Sequence, residues 1–193
     1  MVISKLIYTF AARILKERKM NVLNEFHISF TGLKDGQHSF DFQIGKTFFE
    51  AFEEDRIEDS MIHLKLNLNK SDSMLQWEFN FDGQVQVACD RCTGLFWHPI
   101  DLNEMLIVKF GPETIEESEN VLVLNEIEHE IPLEQYIYEF ISLSLPMKLT
   151  HPEDEDGNSD CDMDFLENYS NEPRSDEDEI DPRWAALKKL KKE

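Results

Sequence analysis

At 193 residues, with 41% hydrophobic and 11% aromatic side chains, the chain has room for one sizeable core plus accessory segments, not for two full domains. Its formal charge of −21, from 40 acidic against 19 basic residues, excludes a broad nucleic-acid-binding surface, since affinity for phosphate backbones comes largely from lysine and arginine. Contact with nucleic acid must be local, or pass through a basic protein partner.

Three cysteines, an odd number, argue against a disulfide framework and fit a reducing, cytoplasmic environment. No apolar run approaches the ~20 residues that a membrane-spanning helix needs. The opening "MVISKLIYTFAARILKERK" is basic, interrupted by Arg13 and without a convincing cleavage site, so residues 1–19 read as an extension ahead of a native start at Met20.

From Met20 the pattern turns to strands. "EFHISF" and "HSFDFQI" alternate, the second placing Phe40, Phe42 and Ile44 on one face, with the turn-rich "TGLKDGQ" between them. "KTFFEAFEED" reads as a brief helix or turn. "MIHLKLNLN" and "MLQWEFNF" then put Ile62, Leu64, Leu66 and Leu68, and Leu75, Trp77, Phe79 and Phe81, on single faces. Period-two alternation of this length predicts half-buried antiparallel strands. Asp82-Gly83 carries the residues of a tight hairpin turn, with "QVQV" returning as its partner strand. Pro99, in the looser alternation after the cysteines, predicts an edge or a bulge, and "VLVL" and "IEHEI" predict short extended segments.

A helix is predicted over 132–145, opening at Pro132, following helical spacing through Leu133, Tyr136, Ile137, Phe140 and Ile141, and stopped by Pro146. The expected fold is α+β: a mainly antiparallel sheet in a domain over 20–150, one long amphipathic helix packed on it, and a short C-terminal helix. Residues 151–180 are dense in Asp and Glu and poor in β-branched side chains, so a flexible acidic segment is expected. Residues 181–193 predict a short basic helix with Asp181 as N-cap and Trp184, Leu187 and Leu190 as an apolar stripe.

The "CDRC" element admits three readings. A redox pair wants its first cysteine at a helix N-terminus after a strand, and the flanks here are strand-like on both sides. A zinc site wants four ligands, which Cys89, Cys92, His151 and Cys161 supply as a Cys3His set, with His98 and His129 as rival ligands. The simplest reading is structural, with Cys89 buried on the sheet and Cys92 exposed in a turn finished by Thr93-Gly94. No nucleophile–base motif, Gly-rich phosphate loop or HExxH stands out, so no enzyme is expected. At the C-terminus, Arg183, Trp184, Leu187, Lys188, Lys189 and Leu190 fit an aromatic-cationic contact with RNA, a helix seated in a protein groove, or packing back on the sheet.

Three elements occur in order: V-x-C-D-R-C at 87–92, E-x-x-x-L-x-L-P at 139–146, and D-P-R-W-x-x-L-x-x-L at 181–190. Together they resemble the bacterial large ribosomal RNA subunit accumulation protein family (YceD-like), and the resemblance runs from Met20 to the end. It implies a non-enzymatic, cytoplasmic ribosome biogenesis factor whose partners are large-subunit (23S) ribosomal RNA precursor, a basic ribosomal protein, or both, with no membrane. The family's cysteine pair carries over as Cys89 and Cys92, and His151 and Cys161 lie where many members bear further Cys or His. The alternative from the residues alone is a zinc-stabilised protein-interaction adaptor unrelated to ribosomes.

Overall fold

The computed structural model describes residues 22–153 and 159–170. The N-terminal extension over 1–19 and the basic segment over 181–193, with Arg183, Trp184, Leu187, Lys188, Lys189 and Leu190, lie outside the described residues.

Three long strands form the frame: β3 (Ile57–Lys70), β4 (Met74–Ala88) and β5 (Leu95–Gly111). β2 (Gly36–Gly45) adds to one side, and β7 (Val121–Asn125) with β6 (Ile115–Ser118) to the other, giving a six-stranded sheet in the order β2-β3-β4-β5-β7-β6. Every pairing is antiparallel except β5 with β7. A second, two-stranded ribbon pairs β1 (His27–Ser29) with β8 (Glu130–Pro132). The helices are α1 (Lys46–Ala51), α2 (Glu134–Ser144) and α3 (Met163–Ser170). The fold is α+β with a mostly antiparallel sheet.

The alternation read from the sequence is the alternation of burial. Ile62, Leu64, Leu66 and Leu68 on β3, and Leu75, Trp77, Phe79 and Phe81 on β4, all face the core, while their neighbours face water. Each such side chain contributes about 1.5–3 kcal/mol by leaving water. The covering layer is aromatic: Phe26 meets Phe48 at 5.0 Å and Phe42 at 5.2 Å, and Phe140 of α2 meets Phe79 edge-on at 5.2 Å.

Asp82-Gly83 is not a hairpin turn. β4 runs through it without a break, pairing Gly83 with Ile62 on one side and Ile100 on the other. The turn between β3 and β4 lies at 71–73 instead, where the Ser71 hydroxyl donates to the Met74 carbonyl at 3.0 Å. Gly83 is required for a different reason. At φ +156°, a Cβ would collide with the Met61 carbonyl oxygen and reach 2.7 Å from Ile62 Cα. The glycine marks a close approach of β3 and β4. Pro99 sits where an edge was expected: over 95–106, β5 has β4 as its only neighbour among the described residues, since β7 joins at Ile107.

The long helix expected over 132–145 is three turns. Pro132 closes β8 opposite His27, and the Leu133 N–H donates to the Phe26 carbonyl at 3.2 Å, so helical geometry starts only at Glu134. Ile137 and Ile141 form its buried face. Within the stretch expected to be flexible, Glu153 bridges Ser159 and α3 forms from Met163, with Leu166 packed against the core.

Candidate metal centre

The turn from β4 to β5 carries the cysteine pair. The Thr93 N–H donates to the Cys89 carbonyl at 2.8 Å, and the Cys89 N–H donates to the Gly94 carbonyl at 2.9 Å. Thr93 takes the left-handed conformation at φ +62°, which curls the turn so that both thiols point inward. Cys92 is thus buried, 3% exposed, and not the exposed turn residue of the structural reading.

The chain after α2 returns to this turn and is pinned there. Asp90 donates its N–H to the Leu149 carbonyl at 2.7 Å, and its carboxylate accepts the Leu149 N–H at 2.6 Å. Two residues on, His151 lies against the Phe96 ring at 4.9 Å. Cys161 closes the set from just ahead of α3.

Four ligand atoms then lie within 4.8 Å of one another, one each from Cys89, Cys92, His151 and Cys161. Cys89 Sγ is 3.9 Å from Cys161 Sγ, while His151 Nδ1 is 3.5 Å from Cys92 Sγ and 3.6 Å from Cys161 Sγ. All four residues are buried, and the group can hold a metal ion. His98 and His129 are not part of it. His98 sits on β5 with its ring 6.4 Å from that of Phe96, and His129 offers its carbonyl to the Phe30 N–H at 3.2 Å.

Burial alone would raise the Cys89 thiol. Backbone N–H groups of Arg91, Cys92 and His151, with the His151 ring, outweigh it and bring the value from 9.0 down to about 6. The Arg91 N–H reaches Cys89 Sγ at 3.4 Å. Cys161 moves the other way: the Ser159 hydroxyl pulls it down, but burial and the adjacent Cys92 and Cys89 push it up overall. Three thiols this close cannot all ionise unless a cation joins them. No helix follows Cys89, so the strand-to-helix setting of a redox pair is missing here.

The four ligands were legible in the sequence. Asp90, which fixes the returning chain, and Phe96, which backs the imidazole, were not, and only Asp90's place inside C-D-R-C could have pointed to it. No described helix is long and apolar enough to cross a membrane.

The family described as large ribosomal RNA subunit accumulation protein YceD matches residues 77–191. That span holds all four ligands and α2, and begins inside β4, so residues 20–76, included in the sequence resemblance, lie outside it. Neither a curated protein nor a solved structure matches the chain significantly. With more than half of its length matched, from Trp77 through the ligand cluster and beyond, the chain belongs to the large ribosomal RNA subunit accumulation protein family.

Proposed function

We propose that this protein is a non-enzymatic cytoplasmic factor that supports accumulation of large-subunit (23S) ribosomal RNA by binding a precursor of that RNA or a basic ribosomal protein. The family match over 77–191 carries the reading. The charge of −21 favours a basic protein as the first partner and leaves RNA to the lysine-rich end, Arg183 to Leu190. The sheet acts as scaffold.

Zinc clips that scaffold. A tetrahedral zinc with sulfur at about 2.3 Å and nitrogen at about 2.0–2.1 Å needs S···S separations of about 3.8 Å and S···N separations of about 3.6 Å. The corresponding distances here are 3.9 Å, 3.5 Å and 3.6 Å. Bound zinc would supply the positive charge that lets three thiolates share one buried site. Asp90 and the Arg91 N–H orient the ligands, and Phe96 shields the imidazole from water.

Depletion of the protein in cells, followed by ribosomal RNA and subunit profiling, tests the function. The expected result is a shortage of large subunits and of their RNA, and a normal profile overturns the reading. Affinity purification should recover large-subunit precursor particles or a basic ribosomal protein, with less recovered once residues 181–193 are deleted.

A further inference from the structure

A groove of about 580 Å3 lies between α2, the end of β6 and the middle of β5. Its floor and lip are apolar, formed by Leu102, Phe140 and Leu143, and Leu143 is 82% exposed on a helix that buries its opposite face. Glu104, Glu116, Glu119 and Glu139 line it, and neither lysine nor arginine does. The field of these carboxylates reaches Tyr136, whose phenol is pushed up to about 12 by burial and by Glu116 and Glu139. An acidic trough with an apolar floor fits a basic amphipathic segment.

We propose that this groove receives the chain's own C-terminal segment, residues 182–193, with Trp184, Leu187 and Leu190 on the apolar floor and the basic side chains against the glutamates.

Charge, pattern and reach argue for this occupant. Residues 182–193 hold Arg183 and four lysines against Glu193 alone, and their apolar side chains recur at 184, 187 and 190, one helical face. Described chain ends at Ser170, twelve residues before Pro182, an extended reach of about 40 Å. A domain of this size has a radius of gyration of about 14 Å, so that reach spans it. The start of α3 also lies close to the groove along the chain: Ser144 on its lip is seven residues from His151, and His151 touches Cys161, two residues ahead of α3. Tethering gives the segment an effective concentration on the order of mM, at which weak contacts suffice. The inference rests on neither zinc nor the ribosomal role, but it bears on that role, because a tail lying in the groove cannot face RNA or a partner.

Carbodiimide coupling of carboxylates to amines in the full-length protein, mapped by mass spectrometry, tests it. The expected adducts join Lys188, Lys189, Lys191 or Lys192 to Glu104, Glu116, Glu119 or Glu139 within one monomer, and high salt removes them. Glu116→Lys with Glu139→Lys should abolish coupling to the remaining two glutamates. Leu143→Asp should reduce it, and because all three positions are exposed, native folding is preserved and checked by circular dichroism. Adducts confined to the acidic stretch 171–181 overturn the proposal. So do adducts that link isotopically distinct copies, which assign the groove to a second chain, and adducts indifferent to the charge reversal. Failure of the ribosomal profiling test leaves this experiment's outcome unchanged.

Discussion

Cys89 Sγ and Cys161 Sγ lie 3.9 Å apart although 72 residues separate them in the chain. The contact draws the acidic segment after α2 onto the β4–β5 turn, and it does so through groups that a metal would cross-link. In a domain with its own aromatic core, such a clip holds one segment in place and does not create the fold.

Purified under reducing conditions without chelator, the protein should therefore carry one zinc per chain by elemental analysis. Cys92→Ser, Cys161→Ser and His151→Ala should each bring that ratio towards zero, and His98→Ala should leave it unchanged. Chelation should expose residues 145–162 to limited proteolysis while the far-ultraviolet spectrum of the sheet persists. A full zinc load in Cys161→Ser would rule out the four-ligand set.

Gly83→Ala should cost about 3 kcal/mol or more in urea unfolding, because the added Cβ meets β3 backbone, which cannot move without breaking the ladder. Gly32→Ala is the control. Nothing lies within 4 Å of its added methyl, and stability should stay within about 0.5 kcal/mol of the native protein.

Ile137→Ala should destabilise by about 2–4 kcal/mol, since the side chain is fully buried between α2 and the sheet. Leu143→Ala, on the same helix but 82% exposed, should be near neutral. Equal losses at the two positions would mean that α2 is rotated from the orientation described.

Tyr136 should be the last of the four tyrosines to ionise. Burial with the charges of Glu116 and Glu139 pushes its phenol up to about 12, against an ordinary value near 10. Tyr138 is raised as well, chiefly by its 2.7 Å hydrogen bond to Glu54. A phenol raised in the folded state contributes stability that is fully present below pH ~10 and is lost as pH rises through ~12. Ultraviolet titration should show the late step, and Glu116→Gln should move it downwards. A late step insensitive to Glu116→Gln would mean that burial alone raises Tyr136.

The strands were readable because their signal is local. Whether Leu64 or Lys65 faces the core is decided by alternation within a few residues, and any sheet that buries one face must respect it. The Gly83 error shows where local reading stops. Asp-Gly is the residue pair of a tight turn, but a glycine is equally demanded where two backbones nearly touch, and only the neighbouring strand distinguishes the cases. Pro132 presents the same ambiguity, since it suits both the first turn of a helix and the last residue of a paired strand.

The sequence by itself determined the apolar faces of the strands, the residue types of the ligand cluster and the strong negative charge, because each follows from side-chain chemistry and short-range periodicity. Tertiary structure alone decided that Cys89, Cys92, His151 and Cys161 converge, that Cys92 is buried, and that four glutamates from three elements rim one groove. Those are contacts between distant parts of the chain, selected by how β4, β5, α2 and the returning segment pack, and no spacing along the sequence encodes a distance through space.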